Sequence, residues 1–173
     1  GSGCFLDTAN FGLDPEPTVQ QSVAIGAGLV LFSGDKLVGG PQAGIIVGKK
    51  LLIDKLKKHP LVRAVRIDKI RLAGLVATLL YYLKGEPVNK IPVWRMISAP
   101  LEEIDRRAKA LAEVLDGLAQ VIEGESMIGG GSLPGNTLPT RLVAIGEGGK
   151  GKGGNTVSAV ARRLRKSEKI PIV

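Results

Sequence analysis

The chain has 173 residues, of which 44% are hydrophobic, 23% charged and only 3% aromatic, with a formal net charge of +8. That length suffices for one ordinary domain or two small lobes, and a core poor in aromatics must be built from Leu, Ile, Val and Ala, as in α/β packing. Scarce aromatics argue against a base-stacking platform for single strands; the basic balance suits a polyanionic partner and, equally, a soluble basic protein.

Cys4, the one cysteine, has no internal disulfide partner, and no Cys/His cluster has metal-ligand spacing, so no metal is expected and a reducing compartment fits. No uninterrupted apolar run is long enough to span a bilayer, and the start, Gly1-Ser2-Gly3-Cys4, lacks a basic region followed by an apolar stretch. A cytoplasmic protein without membrane association is expected. The lack of an initiator Met reads as a piece of something longer.

In chain order, the mostly apolar stretch Ser22 to Phe32, broken by Gly26 and Gly28, predicts the end of a helix feeding a buried strand at 29–32. Ser33-Gly34-Asp35-Lys36 follows directly. Gly44-Ile45-Ile46-Val47-Gly48 predicts a second strand, so two strands flank the lysine. Lys49 to Lys58 predicts a short amphipathic helix closed by Pro60, and Asp68 to Leu83 a longer one with a wide apolar face. Gly85, Pro87 and Pro92 then interrupt the pattern and mark a candidate lobe boundary.

Pro100 at a first turn, early Glu102 and Glu103, and apolar residues at 101, 104, 108, 111 and 115 predict a helix over 101–118. Residues 119–123 and 141–145 predict strands on either side of a Gly/Pro-rich loop. A basic helix over 156–166 and a strand at 170–173 close the chain.

A lysine on a tight turn after a buried strand sits where open α/β sheets place ligands. An amine held there can be partly desolvated and so form a Schiff base with a carbonyl cofactor. Ser33 could offer its hydroxyl to a phosphate, and Asp35 could orient the lysine. On spacing alone, a solvated loop lysine is the ordinary reading of such a turn. Arg63 and Arg66, three apart, predict two guanidinium groups on one face of a helical turn, suited to a tetrahedral oxyanion; a solvated basic edge is the plain alternative. His59, before Pro60, fits a helix end as well as catalysis. Trp94 is expected to pack rather than touch substrate. Residues 146–153 nearly match a phosphate loop, but Gly153 replaces the Ser or Thr that would ligate magnesium, so a flexible connector is expected.

The segment Phe32 to Gly48 (Phe-Ser-Gly-Asp-Lys-Leu-Val-Gly-Gly-Pro-Gln-Ala-Gly-Ile-Ile-Val-Gly) closely resembles the cofactor-lysine segment of the bacterial selenocysteine synthase family, the L-seryl-tRNA(Sec) selenium transferases. The likeness extends back to Gly1-Ser2-Gly3, on through His59 to Lys69, and to Gly129-Gly-Gly-Ser-Leu-Pro134, which looks like that family's small-domain turn. The resemblance implies a fragment of a fold type I pyridoxal 5'-phosphate enzyme of the aspartate-aminotransferase type. Residues 1–86 would finish the large cofactor domain, and 87–173 would form most of an α+β small domain, truncated at its end.

It further implies that Lys36 binds the cofactor as a Schiff base and is catalytic, flanked by Ser33 and Asp35, while Arg63 and Arg66 bind the selenium donor. The implied reaction is a β-replacement turning seryl-tRNA(Sec) into selenocysteinyl-tRNA(Sec) with selenophosphate, through an aminoacrylyl intermediate, in a homo-oligomer with shared active sites. Asp7 is a poor match for the carboxylate that pairs with the pyridine nitrogen, so the fragment alone is expected to be inactive. Two other readings remain at this point: a related pyridoxal-phosphate lyase acting on a small amino acid or sugar amine, and a non-catalytic basic RNA-binding or assembly module.

Overall fold

The computed structural model describes residues 1–115, 117–129 and 131–145, together with Arg162, Arg165 and Lys166. It divides the mixed α/β chain into two compact units, the first Gly1–Ala99 with Ser126–Leu138, the second Pro100–Glu125 with Pro139–Val173.

In the first unit, Thr18 opens α1 (Val19–Ala24) with a reciprocal capping box to Gln21, which satisfies otherwise orphaned N–H groups. Gly26, with φ +89, then turns the chain towards β1 (Leu29–Ser33), which pairs antiparallel with β2 (Gly44–Gly48), Leu29 facing Gly48 and Ser33 facing Gly44. The lysine therefore lies on the connection of a hairpin. Of the strand expected to be buried, only Phe32 is; Leu31 stays 57% exposed, because this sheet has two strands and one covered face.

The amphipathic stretch after β2 forms α2 (Lys50–Lys57), followed by the single turn α3 (Leu61–Ala64). Asp68 accepts the Ile70 and Arg71 N–H groups and so starts α4 (Lys69–Leu83), the carboxylate facing the positive end of the helix. The wide apolar face expected of α4 is only partly used. Leu75 is buried and Leu79 and Tyr82 half-buried against the core, whereas Leu72, Val76, Leu80 and Leu83 are exposed. Pro87 and Pro92 do not simply interrupt structure: each begins a short helix, α5 (Pro87–Lys90) and α6 (Pro92–Ile97), where a missing N–H costs nothing. Both helices lie inside the first unit.

Two apolar clusters form this unit's interior. One gathers Cys4, Leu13, Leu37, Ile91, Trp94, Ile97 and Leu133; the other gathers Val19, Phe32, Val38, Ala43 and Leu75.

The second unit holds α7 (Leu101–Val114), and β3 (Ala119–Met127) and β4 (Thr137–Ile145) lie side by side in a second two-stranded sheet, most of each strand within this unit. α7 stops at Val114, short of the expected Leu118, and Gly117 just beyond has φ +77. The strands run longer than their apolar runs suggest. Arg141 on β4 pairs with Asp105 on α7 and Glu123 on β3, fastening the helix to the sheet. The phosphate-loop-like residues 146–153, most of the expected 156–166 helix and the strand at 170–173 lie outside the described residues; Arg162 and Arg165 are helical. Among the described residues no helix is long and apolar enough to cross a membrane.

Candidate active site around Lys36

The hairpin connection is closed by its own backbone. The Gly34 N–H donates to Ala43 O at 2.8 Å and the Gly40 N–H to Gly34 O at 2.8 Å, while the Gly39 N–H returns to Lys36 O at 2.9 Å. Glycine is required where the chain folds this tightly: Gly39 has φ +73, and a Cβ there would overlap Ile91 Cγ2. The amino-terminal segment runs alongside, with Gly1 O accepting from Ser33 N and Ser2 O from Leu37 N, both at 3.1 Å.

Beyond the lysine the backbone is anchored in both apolar clusters. Leu37 enters one and Val38 the other, at 1% and 0% exposure. Lys36 itself is half-buried. It lines a cleft of about 300 Å³ with Asp35, Gly39, Gly40, Pro92, Val93, Met96, Ile128, Gly129 and Ser132. Gly131, φ +80, lies over the amine, and a Cβ at that position would stand 2.9 Å from Lys36 Nζ. Among the described residues no carboxylate pairs with Nζ, so the cleft holds an amine lined by apolar side chains and by Gly129, with Gly131 close to it.

The other expected residues are dispersed. Asp35 lines the cleft and is exposed. Ser33 ends β1, half-buried, outside the cleft lining. Arg63 lies in α3, which ends at Ala64, so Arg66 follows the helix rather than sharing its face as the spacing predicts. Both arginines are exposed, and neither lines the cleft. His59 does not end α2; its Nδ1 accepts the Leu61 N–H at 3.3 Å at the start of α3. Asp7 caps a 3-10 turn at Thr8–Phe11 by accepting the Ala9 N–H at 3.0 Å, and it too is absent from the lining.

Sequence reasoning missed the residues that carry the turn from beneath. Tyr82 Oη lies 3.0 Å from both Leu37 O and Val38 O, and Trp94 Nε1 donates to it at 2.6 Å. Burial pushes the phenol far above its usual titration range. No spacing rule links positions 82 and 94 to position 36. For Gly131 a signal existed, the glycine run at 129–131, but not its target.

The sequence matches the family described as SelA, L-seryl-tRNA selenium transferase, over residues 1–173. The chain belongs to this family. It is 49% identical over 150 residues to the L-seryl-tRNA(Sec) selenium transferase of Carboxydothermus hydrogenoformans, covering 84% of this chain and 32% of that protein. The enzymes of the same name from Alkaliphilus oremlandii and Geobacter sulfurreducens are 50% identical over 151 residues and 48% over 152, covering 84% of this chain and 32% and 33% of themselves. The chain thus spans about a third of the length of the curated SelA relatives it matches.

Proposed function

We propose that this chain carries the lysine half of the active site of a pyridoxal-phosphate-dependent transferase. The full protein converts seryl-tRNA(Sec) to selenocysteinyl-tRNA(Sec) with selenophosphate, in the cytoplasm. One observation carries the reading: Lys36 stands half-buried on a backbone-closed hairpin turn, opening into a cleft beneath Gly131. The relatives' shared name, L-seryl-tRNA(Sec) selenium transferase, supports it and does not favour a small-molecule lyase or a non-catalytic RNA module.

The residues present fit the cofactor at its reactive end. Lys36 supplies an amine for the aldehyde that no carboxylate among the described residues pairs, and Asp35, Gly39 and Gly40 line the same opening. Asp7, committed to its cap, does not fit as partner of the ring nitrogen. When bound, pyridoxal phosphate supplies an electron sink for the serine α-carbon. Lys36 would hold the cofactor, and its amine, once free, would be placed to move the α-proton of the serine. Asp35, on the same cleft, would orient the lysine, and Ser33 would offer its hydroxyl to the cofactor phosphate. Pro92, Val93, Met96 and Ile128 give the cleft an apolar side beside the amine.

Arg63 and Arg66 take the tetrahedral oxyanion of selenophosphate. Since neither lines the Lys36 cleft, they serve the site of a neighbouring copy, in a homo-oligomer whose active sites are shared. The uncovered apolar stripe Leu72, Val76, Leu80 and Leu83 on α4 supports further protein covering this face. The tRNA meets the segment Lys49 to Arg71, where nine exposed lysines and arginines stand against Asp54 and Asp68, a net +7 of the chain's +8. The full protein has the aspartate-aminotransferase-type fold, with residues 1–86 ending its large domain and 87–173 belonging to the small one.

In the full-length protein, Lys36→Ala is expected to abolish seryl-tRNA conversion while tRNA binding persists. Retained turnover in that variant would refute the assignment.

A further inference from the structure

The strongest unassigned feature is the polar pair inside the first unit. Tyr82, one residue before the end of α4, places its hydroxyl 3.0 Å from the carbonyls of Leu37 and of Val38, the two residues that follow Lys36. A phenol has one proton, so the two acceptors share it. Its oxygen in turn accepts the Trp94 indole N–H, from a side chain with no exposure at all, on α6. Tyr82 is packed against both apolar clusters, and its ring lies 5.0 Å from that of Phe5. Buried polar groups are expensive to leave unpaired, and here the Trp94 N–H is bonded to the Tyr82 oxygen and that oxygen to the backbone of the turn. A tyrosine needed only to fill space would not require its oxygen there.

We propose that Tyr82, held by Trp94, is the positioning residue for Lys36: its hydroxyl fixes the Leu37 and Val38 carbonyls and thereby the height at which the lysine amine enters the cleft under Gly131. The inference rests on Lys36 being the cofactor lysine, and it adds what keeps that amine in register. Pinning the two peptides after the lysine removes the backbone freedom that would let the side chain withdraw from the cleft. Trp94 sets the direction of the phenolic proton, because the lone pair it occupies leaves the O–H facing the carbonyls.

The test uses the full-length protein as Tyr82→Phe, which keeps the ring and removes the oxygen. Tyr82→3-fluorotyrosine is the conservative variant that keeps it. Leu75→Ala weakens the same unit by packing alone, since Leu75 is buried with Val38 and Ala43 but makes no hydrogen bond to the turn. Two readouts are taken. Without cofactor, reductive methylation of Lys36 by formaldehyde is followed by peptide mass spectrometry across pH. With cofactor, the rate at which pyridoxal phosphate becomes borohydride-trappable on Lys36 is measured.

Tyr82→Phe is expected to slow trapping about fivefold, the factor matching one net hydrogen bond, and to displace the pH profile of methylation. The fluorinated variant should stay within about twofold of the parent, a change smaller than one hydrogen bond, and Leu75→Ala should change stability without moving the profile. If Tyr82→Phe and Leu75→Ala behave alike, the proposal is overturned. If Tyr82→Phe does not fold, a fluorinated variant or Leu75→Ala that moves the profile overturns it equally. Should pyridoxal phosphate instead label another lysine in the parent protein, the cofactor reading falls and the methylation profile alone decides the role of Tyr82.

Discussion

Replacing Gly39 by alanine should damage the lysine turn more than its size suggests. Two costs act at once. At φ +73 an L-residue sits in the left-handed region, worth roughly 1–2 kcal/mol. The added methyl also overlaps Ile91 Cγ2 and comes within 2.9 Å of Val93 Cγ1. Ile91 is 2% exposed and packed among Leu37 and Trp94, so it has nowhere to move, and overpacking a core costs about 1–3 kcal/mol. Together these give about 2–5 kcal/mol. Gly85 is the internal control, with nearly the same φ of +72 and open space around its would-be Cβ; Gly85→Ala should lose only about 1–2 kcal/mol. Urea unfolding of the two variants and the parent, with midpoints compared at constant slope, measures the difference. Equal losses would refute the reasoning, since they would mean that Ile91 and Val93 do not close over the turn.

Gly131→Ala, whose methyl would stand 2.9 Å from Lys36 Nζ and 3.1 Å from Cε, should displace the flexible amine and lower Lys36 methylation several-fold, checked by peptide mass spectrometry. Cys4 is 1% exposed, and burial pushes its thiol up to about 11; native protein should therefore resist an aromatic disulfide reagent at neutral pH, one equivalent reacting on unfolding. The Lys109 ammonium, then Arg141, hold the Asp105 carboxyl below its usual range. A depressed carboxylate contributes stability above its unfolded value and loses it as pH falls through the folded one. The second unit should therefore weaken below the ordinary carboxylate range, and Lys109→Met should flatten that dependence in acid titrations followed by circular dichroism. The chain by itself should not convert seryl-tRNA, which a turnover assay on it checks.

Much of the hairpin was legible because its signals are local. A β-branched run between glycines at 44–48 and an apolar run ending at Phe32 give strand bounds within a residue of those observed, and glycines at 39 and 40 mark the tight return. Asp68 was legible as a start signal for α4. Burial was not. The stripe Leu72, Val76 and Leu80 is as apolar as Leu75 and Leu79, and only tertiary contact decides which flank is covered. Pro87 and Pro92 read as breaks because proline ends helices more visibly than it begins them, although it is tolerated at a first turn. The support of Lys36 was illegible for a further reason. Tyr82 reaches the turn across 44 to 45 residues of chain, and Trp94 reaches Tyr82 across 12, a convergence that no periodicity encodes. Arg63 and Arg66 show the opposite failure, a spacing that suggested one helical face where the helix ends between them.

Lys36 is the residue proposed to bind the cofactor. Full-length protein incubated with pyridoxal phosphate, reduced with borohydride and digested should carry the added mass on the peptide holding Lys36, and Lys36→Ala should carry none. Mass on a different lysine, or undiminished labelling in Lys36→Ala, would contradict the account.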